Sequence, residues 1–147
     1  MKGLTVAEIK ALPAGSGNLF ATTDRWPISD DRSTIDTADV GIINIDAGIV
    51  SVFGRVEKTV YFTSFSLDIP EGTKSGTHSL GPLGIKGAYY VDDAGSEELY
   101  RIESGTLTLT SDATPTRCVA SHFECTVRMG SAGKTHRITA GNFDIAS

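Results

Sequence analysis

The segment GTLTLT at residues 105–110 places a threonine or a leucine at alternate positions. Successive side chains of a β-strand point to opposite faces of its sheet, so this segment predicts a strand with one polar and one apolar face. Such alternation is typical of antiparallel sheets that bury one face and leave the other in water. The segment therefore predicts an antiparallel β-fold.

Similar segments lie on both sides of it and are separated by turns that contain glycine. They are rich in valine, isoleucine, threonine and aromatic residues, the residue types favoured in strands. Together they predict an all-β chain of about eight to ten strands, arranged as an antiparallel β-sandwich or β-barrel. The predicted strands are residues 18–22, 40–45, 49–56, 59–69, 77–80, 85–91, 118–129 and 135–140, with residues 97–102 as either a strand or one helical turn.

The first residues predict the one short helix of the chain. Residues 5–8 read Thr-Val-Ala-Glu, which is a capping box, and Pro13 ends the helix after about two turns. Residues 14–17 read Ala-Gly-Ser-Gly and predict a flexible joint. We therefore expect a single β domain over residues 1–147, in which residues 1–17 form the helix and joint and residues 18–147 form the sheet core.

Three finer predictions concern the strands and the long polar segment. The apolar positions of residues 59–69 change parity, which predicts a β-bulge near residues 63–64. Along residues 118–129, strict alternation puts Cys118 and Cys125 on opposite faces as two free thiols. Residues 24–39 hold five aspartates and predict an ordered surface loop.

Charge argues against two classes of partner. The chain of 147 residues has a formal net charge of -5, and no basic run occurs in it. Nucleic-acid binders usually present a basic face, and anionic membranes also attract basic segments, so both partners are disfavoured. No apolar stretch reaches the ~18 residues of a membrane helix. We expect a soluble protein without a secretory signal, either cytosolic or with its leader removed.

The closing third resembles a known kind of domain. Residues 105–110, 119–127 and 138–144 resemble the closing hairpin of small bacterial β-rich domains, which are often lipoprotein-anchored and are of unknown function. Residues 18–22 resemble the opening strand of those domains. The chain departs from them in lacking a lipid-bearing cysteine near its start and in having Ser121 where they have glycine. The resemblance implies a β-fold and an envelope location, and it implies no catalytic residues.

Candidate chemistry is weak throughout. His122 and His136 could pair across a hairpin and recruit Cys118 or Glu124 to zinc, but polar residues on the wet face of a sheet are the favoured interpretation. Ser121 precedes His122 directly, so on a strand the two cannot form a catalytic pair. The aspartates of residues 24–39 lack the spacing of a calcium loop. We predict no catalytic residue, no metal, no cofactor and no enzymatic activity.

Trp26 is the most informative residue of the polar segment. A tryptophan there could be an exposed binding anchor or could plug one end of the barrel, and the plug is the favoured interpretation. The leading hypothesis is a non-enzymatic binding module that uses loops at one end of the fold, with Trp26, Asp30 and Asp31 as its site and a protein or small ligand as its partner. The alternatives are a carrier of small apolar ligands in a barrel cavity, and an immunity or inhibitor protein that binds a basic toxin.

Overall fold

The computed structural model describes residues 6–131 and 133–147. One α-helix, one 3-10 turn and ten strands account for most of these residues. The helix α1 spans Val6–Ala11 and the 3-10 turn spans Asp31–Ser33. The strands are β1 Ser16–Thr23, β2 Thr34–Thr37, β3 Val40–Asp46, β4 Ile49–Glu57, β5 Tyr61–Pro70, β6 Gly76–Leu80, β7 Lys86–Asp93, β8 Ser96–Leu109, β9 Arg117–Arg128 and β10 Thr135–Ala146.

All ten strands belong to one antiparallel sheet, which curves into a nearly closed barrel and confirms the predicted all-β fold. The strand order is β2-β1-β10-β9-β8-β7-β5-β4-β3, and β6 pairs with the second half of β8. Residues 97–102 are a strand and join the GTLTLT segment in the 14-residue β8. Gly105 lies in the middle with a φ of 149°, and a Cβ there would collide with the backbone of Glu124. Glycine thus lets β8 bend while it stays paired with β9.

The barrel closes along a seam between its two terminal strands. Strand β2 pairs with β1. After residues 38–39 the chain continues in β3, which pairs with β4. The Thr37 hydroxyl donates to the Arg55 carbonyl at 2.6 Å, and the Arg55 amide donates to the Asp39 carbonyl at 2.9 Å. Beyond these two bonds no strand pairing joins β2 to the end of β4 in the described part of the chain, so the seam is unpaired towards one end of the barrel.

The interior of the barrel is filled with large side chains. The rings of Phe65 and Phe123 stack with their centroids 5.1 Å apart, and Phe143 packs against Phe123 at 6.0 Å. Tyr89 and Tyr100 are also buried in this core. The burial of these rings on alternate positions of β5 to β10 is the physical basis of the fold.

The helix α1 packs on the outside of the barrel. Arg55 points out of β4 and donates to the carbonyl oxygens of Ile9 and Leu12 at 2.7 and 2.8 Å, at the C-terminal end of α1 where carbonyls lack helical partners. Phe62, on the outer face of β5, is buried and carries the Lys10 ammonium 4.8 Å from its ring centroid. The predicted capping residue Thr5 lies outside the described residues. At six residues α1 is far too short to cross a bilayer, and no other helix in the described part of the chain could do so.

The covered outer face explains why the predicted bulge in β5 is wrong. The register of β5 with β4 and with β7 is continuous through Thr63 and Ser64. Residues 62–65 are all buried, because the barrel core covers one face and the region around α1 covers the other. The parity change in the sequence therefore reports burial on both faces of a regular strand.

The irregularity occurs in β9 instead. The pairing of β9 with β8 shifts between Thr108–His122 and Leu109–Ala120, and Ser121 and His122 are both exposed. This shift turns the first half of β9 over. Cys118 and Cys125 consequently both lie in the core as free thiols, and the prediction that they occupy opposite faces is wrong.

The polar segment of residues 24–39 also contains more structure than an ordered loop. Residues 34–37 form β2, with Ile35 buried in the core and Asp36 exposed. Four residues with a single large apolar side chain give too little periodicity to distinguish a strand from a loop. The segment was therefore correctly predicted as ordered, but its strand was missed.

Candidate functional site

Four connections gather at the open end of the seam, which we call the loop end. Their described residues are 24–33, 58–60, 94–95, and 129–131 with 133–134. The Ala94 amide donates to the Val60 carbonyl at 2.9 Å, and the Asp24 amide donates to the Arg137 carbonyl at 3.1 Å. These bonds hold neighbouring connections together. The predicted binding residues Trp26, Asp30 and Asp31 all belong to the longest of the four.

Trp26 plugs the barrel at the loop end. Its side chain is 8% exposed and belongs to the hydrophobic core. The indole Nε1 donates to the Tyr89 hydroxyl at 3.3 Å, which satisfies the polar atom of a buried ring. Burial raises the pKa of Tyr89 to about 12, so this hydroxyl stays protonated at neutral pH. The indole is therefore a structural plug and presents no exposed face to a partner.

Two arginines lie on the Trp26 ring. The guanidinium carbon of Arg25 is 4.0 Å from the ring centroid, and that of Arg32 is 3.6 Å from it. Cations at these distances are attracted by the negative face of the indole. Each arginine also pairs with a carboxylate of the β7–β8 hairpin. The plug is thereby tied to the hairpin through both of its neighbours.

Arg25 pairs with Glu98. Its Nε and Nη2 donate to the two Glu98 carboxylate oxygens at 2.8 Å each, in the bidentate geometry that suits a guanidinium. The Tyr100 hydroxyl donates to Glu98 Oε1 at 2.6 Å. These bonds, the one from Arg25 above all, lower the pKa of Glu98 to about 2. Glu98 is therefore ionised over the whole physiological range.

Arg32 holds Asp30 and the neighbouring hairpin. Its Nη2 donates to Asp30 Oδ2 at 2.7 Å, and its Nη1 lies 3.0 Å from Asp93 Oδ1. The bonds from Arg32 lower the pKa of Asp30 to about 2. The Arg32 guanidinium carbon is also 5.7 Å from the ring centroid of Tyr61 on β5. Arg32 thus links the Trp26 plug to the wall of the open seam.

The open seam forms a groove of about 380 Å³, which we call the seam groove. This volume lies at the lower end of the range for small-molecule and peptide sites. One wall comes from the polar segment and β2, and the other from the end of β4 and the start of β5. The residues that line it are Ile28, Ser29, Asp30, Asp31, Ser33, Thr34, Asp36, Val56, Lys58 and Tyr61.

The seam groove is acidic on one wall. Asp31 and Asp36 are exposed, and among the described residues neither makes an ion pair. Lys58 stands on the opposite wall. After desolvation, the negative charge of Asp31 is the main influence that raises the pKa of Tyr61, and Asp30 adds to it. The wall formed by the polar segment therefore carries a negative potential.

Exposed apolar side chains lie at the seam groove and at a second groove beside it. Ile28 is 97% exposed at the tip of the polar segment, although Ser33 Oγ donates to its carbonyl at 3.3 Å and fixes its backbone. Val60 is 65% exposed on the β4–β5 turn and borders a second groove of about 330 Å³. The second groove shares Lys58 and Tyr61 with the first. A single exposed apolar residue is ordinary, but apolar residues grouped within a polar surround are typical of contact surfaces, and Ile28 and Val60 lie at two grooves that share residues.

The structure separates the residues that were considered as candidate zinc ligands. His122 lies opposite Thr108 on β8, and His136 lies opposite Val127 near the loop end, where its Nδ1 is 3.3 Å from Asp24 Oδ1. Cys118 points into the core, away from both histidines. The described residues contain no group of three or more potential metal ligands. Two acids of the polar segment are instead paired with arginines, Asp30 with Arg32 and Asp39 with Arg55.

Sequence reasoning found one wall of the seam groove and missed the other. Asp30 and Asp31 were identified, whereas Asp36, Lys58 and Tyr61 were not. The position of Ile28 after Pro27 in a polar segment was the available signal, because apolar residues within a polar surround are typical of contact surfaces. Nothing local to the β4–β5 turn indicates that the barrel is open beside it.

No protein-family model matches the chain, and neither the curated proteins nor the solved structures compared with it gave a match.

Proposed function

We propose that this chain is a non-enzymatic protein-binding module that contacts its partner through the seam groove. The observation that carries the proposal is Ile28, which an ordered loop holds almost fully in solvent beside an open groove. Contact surfaces combine exposed apolar residues with a polar rim, and the seam groove has both. The function therefore lies at the loop end, where Asp30 and Asp31 line the groove and Trp26 supports it from below.

The fixed conformation of the loop end supports a role in binding. Trp26, Arg25 and Arg32 tie the polar segment to the barrel and to the β7–β8 hairpin. A loop that is fixed before binding loses little conformational entropy when a partner arrives. The bonds that fix it also leave Asp31 exposed at the groove.

The filled barrel makes the carrier alternative less favourable. Phe65, Phe123 and Phe143 occupy the centre in mutual contact. A carrier requires an internal apolar space of some hundreds of cubic ångströms. The seam groove is external and mainly polar, which suits a protein surface better than a free apolar molecule.

The experiment is capture of partners by the wild-type chain, by a double variant at the loop end, and by a single variant elsewhere that serves as the control. The full chain is immobilised as wild type, as I28S/V60S and as L83S, and is exposed to soluble extract of its source cells. Leu83 is as exposed as Ile28 but lies on the β6–β7 turn, which follows the pairing of Leu80 with Gly105 in the middle of β8, and it does not line the seam groove. Substitutions at such exposed positions change stability by no more than about 0.5 kcal/mol.

We expect a protein that is retained by wild type and by L83S but not by I28S/V60S. Calorimetry with that protein, once purified, should give a binding heat with wild type and none with I28S/V60S. A retained set that is unchanged by I28S/V60S contradicts the proposal. An empty retained set contradicts it as well.

A further inference from the structure

We propose that the seam groove takes an extended, positively charged segment of the partner, which adds to the free edge of β2 as an extra strand. The inference rests on the proposed function and names the chemistry of the partner at the same site. Strand addition to an exposed sheet edge is a general way to recognise a peptide, because main-chain hydrogen bonds supply affinity without requiring a particular sequence.

Two strand edges face each other across the groove. Within the part of the chain that the structure describes, β2 pairs with β1 and has no strand on its other edge. The last paired position of β3 with β4 is Val40 with Gly54, whereas β4 continues to Glu57. The two edges are thus both open at the same level of the barrel.

Hydrogen-bond alternation shows which groups face the gap. The amide and carbonyl of Arg55 bond to Asp39 and Thr37 across the seam. In an antiparallel strand, the backbone groups of every second residue point to the same edge. The amide and carbonyl of Glu57 consequently point towards the groove. A strand added to the free edge of β2 would therefore lie on the side of the groove that the backbone groups of Glu57 face.

The negative charges at the groove favour a partner segment with positive charge. Asp31 and Asp36 are exposed and without ion pairs among the described residues, and the chain as a whole carries -5. Opposite potentials on two partners speed their encounter and reject partners of the wrong sign. Lysine or arginine side chains on the solvent side of the segment would lie beside these aspartates.

The polar and apolar sides of the groove also favour a partner segment whose residues alternate between basic and aliphatic. On β2, Asp36 is exposed whereas Ile35 is buried in the core, and Val56 lies half-buried at the base of the groove. A strand inserted between them would turn one set of side chains to the aspartates and the other set to Val56. The matching segment alternates basic and aliphatic residues.

The test uses synthetic peptides as probes of the full chain. The isotope-labelled protein is titrated with the acetylated, amidated peptide Lys-Val-Lys-Val-Lys, and backbone amide resonances are followed by NMR at low ionic strength. Two matched probes are the peptide Glu-Val-Glu-Val-Glu and the lysine peptide N-methylated at every internal amide. The first reverses the charge, and the second removes the internal amide donors that strand addition uses.

The matched protein variants are D31N/D36N and D46N/E71Q. Each removes two exposed carboxylates, the first pair at the groove and the second pair at the opposite end of the barrel. Because all four side chains are exposed, both variants are expected to fold, and the dispersion of their amide spectra checks this directly. A loss of about two exposed ion pairs corresponds to roughly tenfold weaker binding.

We expect the lysine peptide to shift amides of residues 28–36 and 56–61, with affinity about tenfold lower in D31N/D36N and unchanged in D46N/E71Q. Equal binding by the glutamate peptide, equal binding by the N-methylated peptide, or shifts elsewhere on the barrel would overturn the inference. If partner capture depends on Ile28 and Val60 while the lysine peptide does not bind, this inference fails and the proposed function stands. If capture is indifferent to both residues, the proposed function itself fails.

Discussion

The guanidinium of Arg32 lies 3.6 Å from the ring centroid of Trp26 and at the same time donates to both carboxylate oxygens of Asp30, with the shorter bond at 2.7 Å. One side chain therefore connects the plug of the barrel to the acidic wall of the seam groove. We therefore expect binding of the proposed partner at the groove to be coupled to the stability of this end of the barrel through Arg32.

Removal of the plug should destabilise the whole barrel. Trp26→Ala leaves a cavity beneath Arg25 and Arg32 and removes the hydrogen bond to Tyr89, so we expect the free energy of unfolding to fall by about 3–5 kcal/mol. Urea denaturation followed by circular dichroism measures the change. Ile28→Ala, two positions away and 97% exposed, serves as the control and should change stability by less than about 0.5 kcal/mol. Equal stability of W26A and wild type would show that the indole is not a plug.

Acid should weaken the barrel through Glu98. Its pKa is lowered from an ordinary value near 4.5 to about 2, so its contribution is complete above pH 4.5 and is lost as the pH falls towards 2. Because the side chain is partly exposed, we expect a loss of about 1–2 kcal/mol over that window. Denaturation curves at pH 7, 4 and 2 test this.

The variant E98Q separates Glu98 from the other carboxylates. It should be less stable than wild type at pH 7, because Arg25 loses its charged partner, and it should lose less stability between pH 4.5 and 2. Glu103→Gln removes the exposed partner of Arg128 and provides the control at pH 7, with a change under about 1 kcal/mol. Parallel acid profiles of E98Q and wild type would contradict the assignment.

Arg55 should hold α1 against the barrel. Its side chain is 6% exposed and bonds to Asp39 and to carbonyls at the end of α1, so Arg55→Met leaves buried acceptors without donors. We expect a destabilisation of about 3 kcal/mol and faster hydrogen exchange of the amides of residues 6–12. Arg117→Met, which breaks the exposed pair with Asp144, should cost less than about 1 kcal/mol. Unchanged exchange at residues 6–12 in R55M would show that α1 is held by other contacts.

The two thiols should be inert in the folded chain. Burial raises the pKa of Cys118 to about 11 and that of Cys125 to about 12, and the thiolate is the reactive form. Titration with a thiol-reactive disulfide reagent at pH 8 should detect no thiol in the native protein and two in guanidinium chloride. Rapid reaction of either cysteine in the native protein would show that β9 is not turned inward at both positions.

The strands were predictable from the sequence where one face is exposed to solvent and the other is buried. The GTLTLT segment belongs to such a strand, and the threonines and leucines lie as the alternation requires, with Leu107 and Leu109 buried. The prediction failed where this contrast is lost. In β5 the region around α1 covers the outer face, and in β9 two adjacent polar residues, Ser121 and His122, hide a shift of register.

The site was less predictable because it depends on contacts between distant segments. Arg32 meets Asp93 and Tyr61 although dozens of residues separate them, and no local pattern encodes that meeting. The opening of the seam depends on where β3 stops pairing with β4, which is a property of the register. Composition identified the acidic segment but not the wall that faces it.

Hydrogen exchange of the β2 amides, with and without the Lys-Val-Lys-Val-Lys peptide, tests the central claim most directly. If the seam groove receives an added strand, the amides of residues 34–37 exchange faster than those of the central strand β9 in the free chain and become protected when the peptide is present. Exchange at residues 34–37 that is unaffected by saturating peptide would contradict the account.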